Sequence, residues 1–237
     1  MVSEAARGLT LAIPYYSQPA FLLRTVSSIV AQRGSCALLI VDDSPDGLDA
    51  ETRAAVESVV GGRLEYRYCR THGAEGMAAA WNRCLDEATT ELVTLVHGDD
   101  ELERDYAHEM VALAARHPDA AAVFCGAAII DGQGNKRFSF ADWYKTKLVP
   151  EHDDELVLRG DFALQSLLRG NYLFCPTLCY RRSVIASRRF DARYRFVLDL
   201  DFVTGLLLDR ETIVGVPRVA HYRYRRHGDN ATAVLTR

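Results

Sequence analysis

The N-terminal half of the chain alternates between short apolar runs and segments whose apolar residues recur at helical spacing. Short apolar runs predict buried β-strands, and helical spacing predicts amphipathic helices. A helical segment separates each predicted strand from the next, so crossover connections are favoured over antiparallel hairpins. The pattern therefore predicts a parallel sheet with helices on both faces. The predicted strands are Leu9–Ile13, Ala37–Val41, Leu64–Cys69 and Leu92–Val96, and the helices between them are Pro19–Val30, Leu48–Val60 and Met77–Ala88.

The pattern is less regular after the fourth strand. Ala120–Ile130 predicts a further strand, and Asp131–Asn135 has the composition of a tight turn that would return the chain as a hairpin at Lys136–Phe140. Ala141–Leu158 is polar and mixed, so it predicts a long loop or short helices, and loops of that length are usually functional. No linker or repeat interrupts the chain, which we interpret as one domain. The remaining predicted helices are Tyr106–His117, Phe162–Leu168, Arg182–Ala186 and Leu200–Leu208, and the remaining strands are Pro176–Arg181 and Ile213–Val219.

Composition narrows the class of protein. Apolar residues make up 49% of the chain and charged residues 25%, as in soluble globular proteins. The net charge of −4 argues against a nucleic-acid partner, because such proteins carry a basic excess. Met1–Gly8 lacks the apolar core of a signal peptide, and no apolar run approaches the roughly 20 residues of a membrane span. These features predict a cytoplasmic protein with at most peripheral membrane contact.

The cysteines and lysines add little chemistry at this level. The spacing of the six cysteines indicates neither a disulfide framework nor a common zinc site, and most of them lie in apolar segments, as small buried hydrophobes do. Only three of the 28 basic residues are Lys, a skew that is typical of GC-rich genomes.

Polar side chains follow three of the predicted strands. Because parallel strands end at the same edge of a sheet, where open α/β sheets bind ligands, we expect these side chains to lie together. The three consecutive carboxylates Asp99 to Glu101 repel one another, so a nearby cation would stabilise them. The polar strand ends are Pro14-Tyr15-Tyr16-Ser17, Asp42-Asp43-Ser44 and His97-Gly98-Asp99-Asp100.

These side chains suit a nucleoside diphosphate. The ring of Tyr16 can stack on a flat heterocycle, Asp43 can accept a hydrogen bond from a ring N–H, and Asp99 can hold a metal that bridges two phosphates. Purely structural alternatives stay open from the residues alone. Asp42 or Asp43 could serve only as the N-cap of the following helix, Tyr15 and Tyr16 could pack in the core, and the acidic cluster could be a solvated turn.

Several other nucleotide sites and one hydrolase site are excluded or disfavoured by missing motifs. The chain has no Gly-x-x-x-x-Gly-Lys-Ser/Thr, which excludes a P-loop. No Gly-x-Gly-x-x-Gly follows the first strand, so a dinucleotide site is disfavoured, and the absence of a Gly-rich loop there argues against a sugar nucleotidyltransferase. No Gly-x-Ser-x-Gly occurs, which excludes the serine-hydrolase elbow.

Seven motifs in order resemble the signatures of family-2 glycosyltransferases of the GT-A fold. The resemblance covers nearly the whole chain, and it implies a Rossmann-like α/β domain, residues 1–237, with a mostly parallel central sheet. Residues 1–104 would form the nucleotide-sugar-binding half, and residues 105–237 would form a smaller, irregular acceptor-binding half. The motifs are Ile13-Pro14-Tyr15-Tyr16, Ile40-Val41-Asp42-Asp43-Ser44, Gly76-Met77-Ala78-Ala79-Ala80-Trp81-Asn82, Leu95-Val96-His97-Gly98-Asp99-Asp100, Gly170-Asn171 with Pro176-Thr177 and Tyr180-Arg181-Arg182, Leu198-Asp199-Leu200-Asp201-Phe202, and Tyr222–Thr232.

The resemblance implies an inverting hexosyltransferase that moves a sugar from a UDP- or dTDP-sugar to an acceptor hydroxyl. Asp199 would be the general base, and Asp99 and His227 would bind Mn²⁺ or Mg²⁺ on the diphosphate. Arg225 or Arg226 would be a mobile charge partner near that diphosphate. Substrate binding would fall to Pro14, Tyr15, Tyr16, Asp43, Asn82, His97, Gly98, Asp99, Asp100, Asp201 and Arg226.

Two departures from the family pattern leave alternatives open. His97 stands where the family's Asp-x-Asp motif has its first Asp, and Leu198 stands where a Glu usually precedes the base. Asp201 is the alternative base, although Asp201 and Phe202 fit the start of the following helix. A glycosyltransferase-like binding protein without catalysis and a nucleotidyltransferase of similar architecture are the competing functions. The acceptor could be a small molecule, a glycan or a lipid-linked molecule, and residues 141–171, with Trp143, would shape its site.

Overall fold

The computed structural model describes residues 8–227, which form one mixed α/β domain around a single sheet. The strands are β1 Leu9–Tyr15, β2 Cys36–Asp42, β3 Glu65–Arg70, β4 Leu92–Leu95, β5 Glu101–Leu102, β6 Ala120–Ile130, β7 Leu156–Leu158, β8 Leu178–Arg181 and β9 Thr212–Arg225. The helices are α1 Pro19–Val30, α2 Ala50–Val60, α3 Met77–Glu87, α4 Tyr106–Arg116, α5 Phe140–Leu148, α6 Gly160–Arg169, α7 Arg182–Ile185 and α8 Leu198–Leu208, with a 3₁₀ turn at Cys175–Thr177.

The strand order is β3-β2-β1-β4-β8-β6-β9-β5, and β7 pairs with β9 outside that path. Strands β1 to β4 are parallel to their neighbours in this group, which confirms the crossover topology predicted for the N-terminal half. The C-terminal half is mixed. Strand β8 is antiparallel to both neighbours, β6 and β9 are parallel, and β5 and β7 are antiparallel to β9. The carboxyl ends of β1, β2 and β4 therefore meet at one edge.

Successive residues of the central strands pack into two separate apolar layers. In β2, Leu38 and Ile40 belong to one layer, and Leu39 and Val41 belong to the other. This alternation is expected for a strand that is covered on both faces. Helices α1, α2 and α4 cover the first layer, and α3, α6 and α8 cover the second. Among residues 8–227, no helix combines the length and the apolar character that crossing a membrane requires.

Three elements of the C-terminal half differ from the sequence prediction. The returning strand at Lys136–Phe140 is wrong, because the pairing is limited to one bridge between Ile130 and Lys136, after which the chain enters α5. The mixed segment Ala141–Leu158 contains most of α5 and all of β7, so the alternative of short helices was the better one. Helix α8 begins at Leu198 rather than Leu200. Acidic side chains in a first helical turn are favourable there because of the helix dipole.

The strand predicted at Ile213–Val219 continues to Arg225 as β9. Its pairing with β6 shifts register at Gly126, opposite a bulge that contains Pro217. Proline has no N–H to donate, so a bulge is where a long strand can accommodate it. A Cβ on Gly126 would lie 2.4 Å from the Pro217 carbonyl oxygen, so only glycine fits at this crossing. The continued strand carries the C-terminal arginines to the edge of the sheet where β4 ends.

Candidate active site

One large cavity, of about 1350 Å³, opens where β1, β2 and β4 end. Its other wall comes from the start of α5, the segment before β8 and the start of α8. Pockets for one small ligand usually measure about 300–1000 Å³, so this cavity has room for two substrates. Of the predicted site residues, those that line it are Pro14, Tyr15, Tyr16, Asp43, His97, Gly98, Asp99, Asp199 and Arg226.

The two tyrosines after β1 have different environments. Tyr16 is 56% exposed and presents its ring to the cavity, as a stacking platform would. Tyr15 is 5% exposed, and burial, with a smaller contribution from Asp42, raises the pKa of its hydroxyl to about 12. Tyr15 therefore mainly packs in the core, which was the alternative to a substrate contact. Tyr16 is the tyrosine of the pair that is exposed to a ligand.

Asp42 and Asp43 also divide their roles. The carboxylate of Asp42, which is fully buried, accepts hydrogen bonds from the Leu48 N–H (2.5 Å), the Tyr68 hydroxyl (2.6 Å) and the Ser44 N–H (3.0 Å). Burial alone would raise the pKa of Asp42, but these hydrogen bonds lower it below the ordinary value. Asp42 is thus a structural residue of the turn after β2.

The carboxylate of Asp43 lies on the cavity side. It accepts hydrogen bonds from the Thr71 hydroxyl (2.5 Å), the Glu75 N–H (3.0 Å) and the Gly76 N–H (3.0 Å). These bonds fix the loop between β3 and α3 and, in return, fix the direction of the carboxylate. Two carboxylate oxygens offer about four lone-pair sites, so capacity for one more donor remains.

We expect Asp42→Asn to lower the free energy of unfolding by about 2–3 kcal/mol at neutral pH. Hydrogen bonds to a charged group are lost, and the NH₂ group of the new side chain would face N–H and O–H groups that are themselves donors. The pKa of Asp42 is lowered in the folded state, so the ionised carboxylate stabilises the wild-type protein. This stabilisation is present above the unfolded pKa of about 3.9 and is lost as the pH falls through the folded pKa. Urea unfolding between neutral and acidic pH measures both effects.

The matched control is Asp46→Asn, which changes an exposed carboxylate in the same turn. If the two variants were equally stable at neutral pH, the structural role of Asp42 would be wrong.

The residues after β4 place one carboxylate at the cavity and bury the next. Asp99 lines the cavity, and its Oδ2 lies 2.7 Å from His227 Nε2. Burial would raise the pKa of Asp99, but the contact with His227 and the proximity of His97 lower it. Asp100 is 1% exposed and accepts hydrogen bonds from the Tyr222 hydroxyl (3.0 Å) and the Arg225 N–H (2.7 Å). Burial raises the pKa of Asp100 well above its ordinary value.

Asp100 therefore departs from its predicted role. It does not line the cavity, and its oxygens bind β9 instead, which ties that strand to the end of β4.

His97 stacks against Trp81, with ring centroids 5.9 Å apart, and its Nε2 is buried without a hydrogen-bond partner among the described residues. Burial lowers the pKa of His97, so the neutral imidazole is favoured. A neutral imidazole nitrogen is a metal ligand or a hydrogen-bonding group for a substrate hydroxyl.

The donor set here fits a divalent cation. Ligand atoms of His97, Asp99 and Asp100 all lie within 4.8 Å of one another, and His227 contacts Asp99 directly. Asp99 would be the strongest ligand of the group, because its lowered pKa favours the ionised form, whereas the raised pKa of Asp100 would weaken that residue as a ligand. Mg²⁺ and Mn²⁺ prefer carboxylate oxygens, so Asp99 is the residue that would hold either ion.

Asp199 reaches the same cavity from the C-terminal half. It lies in the first turn of α8, after Val197, whose φ of 63° reverses the chain into the helix. The side-chain N–H of Asn171 donates to Asp199 Oδ2 at 3.2 Å, which orients the carboxylate. Asp201 lies in the same turn but does not line the cavity.

A family model described as Glycosyl transferase family 2 matches residues 10–182. The chain belongs to glycosyltransferase family 2. No curated protein matches it.

Solved structures match this family-2 chain in fold. Staphylococcus aureus TarS 1–349 in complex with UDP-GlcNAc is 16% identical, with a TM-score of 0.71, over 95% of this chain and 61% of that one. The mannosyltransferase PcManGT from Pyrobaculum calidifontis, in complex with GDP-Man and Mn²⁺, is 17% identical, with a TM-score of 0.68, over 95% and 59%. The chain thus spans about three-fifths of the length of these structures. The matches confirm the predicted GT-A fold class.

Asn82 does not lie at the cavity of this glycosyltransferase-family domain, in contrast to its predicted substrate contact. Its side-chain N–H donates to the Phe190 carbonyl at 2.9 Å, and its side-chain oxygen accepts from the Phe190 N–H at 2.7 Å. The amide is thereby committed to tying α3 to the segment before α8. This pairing places Trp81, the next residue back, against Phe190 and His97.

Arg225, the last residue of β9, and Arg226, which follows it, are both held by partners within the described chain. Arg226 lines the cavity but binds both oxygens of the buried Asp142, at 2.6 and 3.1 Å. Arg225 is fully buried, and its Nε donates to the Asp99 carbonyl at 2.6 Å. The rest of the C-terminal motif, from residue 228 onward, lies outside the described residues.

Sequence reasoning missed Asp142, Asn171 and Lys145 as site residues. All three lie in the segment predicted to shape the acceptor site. Asn171 belongs to the Gly170-Asn171 motif, which was the signal for it, whereas no motif or periodicity distinguished Asp142 and Lys145. Asn171 and Lys145 line the cavity, and Asp142 anchors Arg226 behind it.

Proposed function

We propose that this chain carries the active site of an inverting, divalent-metal-dependent glycosyltransferase that moves a sugar from a nucleoside diphosphate to an acceptor hydroxyl. The observation that carries the proposal is that Asp99 and Asp199, from the two halves of the chain, line one cavity. The complexes of TarS with UDP-GlcNAc and of PcManGT with GDP-Man and Mn²⁺ support a donor of this class.

The base of the donor would lie at the ends of β1 and β2. The exposed ring of Tyr16 can stack on the base, and Pro14 supplies an apolar edge. Asp43, held by the loop after β3, can accept a hydrogen bond from a ring N–H. A UDP- or dTDP-sugar would supply such an N–H, as would a guanine nucleotide, so a donor panel must include all three.

The diphosphate would lie at the end of β4. Asp99 would hold the cation there, with His227 and His97 as neighbouring imidazoles. A bound Mn²⁺ or Mg²⁺ would offset the negative charge that develops on the leaving diphosphate. Gly98 lines the cavity between His97 and Asp99, and a Cβ there would lie 3.4 Å from Ile13 of β1, so a side chain at this position would lie against β1.

Asp199 would accept the proton of the acceptor hydroxyl as that oxygen attacks the anomeric carbon. The bond to the diphosphate breaks on the opposite side, so a single displacement inverts the configuration. The hydrogen bond from Asn171 orients the carboxylate for this role. Asp201 is disfavoured as the base because it lies outside the cavity.

We expect at least one member of a panel of UDP, UDP-GlcNAc, a dTDP-sugar and GDP-mannose, each with Mn²⁺, to raise the Tm of the protein by about 5–10 °C at saturation, since a ligand at 100 times its Kd adds about 2.7 kcal/mol of stability. EDTA should remove most of the shift, and Asp99→Asn should reproduce the effect of EDTA. Differential scanning fluorimetry measures both, and release of nucleoside diphosphate from the bound donor tests turnover.

Asp105→Asn is the control, because it removes an exposed carboxylate a short way along the chain. A full Tm shift in EDTA would contradict the metal dependence, and the lack of any shift with the whole donor panel would contradict the donor class.

A further inference from the structure

Lys145 places a positive charge in the cavity beside Asp199. It lies on α5, is half-buried and lines the cavity, whereas its neighbours Tyr144 and Lys147 are exposed. Its Nζ lies 4.7 Å from the centre of the Phe174 ring, over the ring face. This cation–π contact positions the ammonium group but uses none of its three N–H donors.

The ammonium group of Lys145 has no hydrogen bond and no carboxylate within 4.0 Å among the described residues. Neither of the two acidic groups that act most strongly on it forms an ion pair with it. Asp142 binds Arg226 with both oxygens, and Asp199 accepts one hydrogen bond, from Asn171. Desolvation is the main cause of a lowered pKa for Lys145. Removing a cation from water without a partner costs free energy, so a ligand with negative charge would complete this arrangement.

The acceptor is the substrate that such a charge would meet. The ammonium group of Lys145 lies over Phe174, in the segment before β8 that also carries Asn171, the hydrogen-bond partner of Asp199. The largest charge effects on Lys145 come from Asp142, Asp199 and Arg226, which all belong to the acceptor-side half. A group bound by Lys145 would therefore be next to the hydroxyl that faces Asp199.

We propose that Lys145 is a specificity-determining residue that binds a carboxylate or phosphate group of the acceptor, so that the acceptor is an anionic molecule. This inference rests on the proposed function, since it needs Asp199 at the acceptor hydroxyl. It narrows the acceptor from any hydroxyl compound to one whose reactive hydroxyl lies close to a negative charge.

The low lysine content makes a direct test possible. Lys136, Lys145 and Lys147 are the only lysines of the chain, so protein labelled with ¹³C at the lysine ε-carbon gives few signals, and Lys145→Arg assigns the relevant one. The protein is saturated with diamagnetic Mg²⁺ and with the nucleoside diphosphate of the donor panel that binds it, and is then titrated with inorganic phosphate or with acetate. We expect the Lys145 signal to shift saturably with at least one anion, with a Kd of about 1–10 mM, while Lys147 does not.

A second readout follows the same titration in variants. The side-chain amide signal of Asn171, which lines the cavity, should respond to the anion in wild type and in Lys147→Met, the matched control on the same helix. In Lys145→Met, which keeps the aliphatic stem, anion affinity should fall by about 10- to 100-fold.

The outcomes separate this inference from the proposed function. If no nucleoside diphosphate of the donor panel binds, the proposed function fails. If one binds but abolishes the response of Lys145 to the anions, the lysine serves the donor diphosphate and the inference is wrong. It is also wrong if a nucleoside diphosphate binds and neither anion shifts the Lys145 signal saturably up to about 50 mM, well beyond the expected Kd.

Discussion

Asp199→Asn is expected to lower the rate of sugar transfer by about 10²- to 10⁴-fold, the contribution of a general base to such a step. Asparagine has nearly the same shape as aspartate, and its oxygen can still accept the hydrogen bond from Asn171. It cannot take up the proton of the attacking hydroxyl. The loss should therefore appear in kcat, measured as transfer of labelled sugar, while donor affinity measured by thermal shift stays near wild type.

Asp201→Asn is the control for this result, because Asp201 lies in the same helical turn and does not line the cavity. Its rate should stay close to wild type. Transfer at the wild-type rate by Asp199→Asn would contradict the assignment, and a large loss confined to Asp201→Asn would exchange the two roles. A low rate in both variants together with a lowered Tm would instead indicate that the start of α8 had been disturbed.

The order of crossovers in the N-terminal half could be predicted because it depends on local patterns. Leu9–Ile13, Ala37–Val41 and Leu92–Val96 are short apolar runs separated by helical spacing, and parallel strands must end at a common edge. Polar residues that follow those strands are therefore brought together, and the cavity does lie there. The strand pairings of the C-terminal half depend on contacts between residues that are far apart in the chain, so the local pattern of apolar residues could not predict them.

Choices between adjacent acidic residues could not be made from sequence, because they depend on side-chain direction. Successive side chains at a strand end point to opposite sides, so Asp42 enters the turn while Asp43 reaches the cavity. In α8, residues two apart differ by about 200° around the axis, so only one of Asp199 and Asp201 can line the cavity.

Residues held by distant partners were also beyond sequence reasoning. Asn82 is fixed by Phe190, 108 residues away, and Arg226 is fixed by Asp142, 84 residues away. Each matched a family motif and was assigned a substrate contact for that reason. Asn82 binds the backbone of Phe190 with both ends of its amide and lies outside the cavity, whereas Arg226 keeps a place in the cavity wall.

Arg225 organises the loop that carries Asp99. Its side chain is fully buried, packs over the ring of Phe21 and forms an ion pair with Glu101. The other donors of the guanidinium bind backbone oxygens, at 2.6 Å to Asp99 and at 2.8 Å to Asp131. One planar group thus joins the end of β4 and the turn after β6 to β9. Lysine could not reproduce this arrangement, because it lacks the planar fork of donors.

We expect Arg225→Met to lower the free energy of unfolding by about 3–5 kcal/mol, because it removes a fully buried guanidinium that forms an ion pair with Glu101 and donates to the carbonyl of Asp99. The Tm should fall by about 10 °C or more. Arg223→Met is the matched control, since Arg223 lies two residues earlier in β9 and binds the same Glu101 at 3.0 Å, but its side chain is 30% exposed. Its loss should be about 1 kcal/mol or less, as for other solvent-accessible ion pairs. If urea unfolding showed equal losses of stability in the two variants, the anchoring role of Arg225 would be contradicted. A much larger loss in Arg225→Met, together with weaker donor binding, would show that the buried guanidinium of Arg225 positions Asp99.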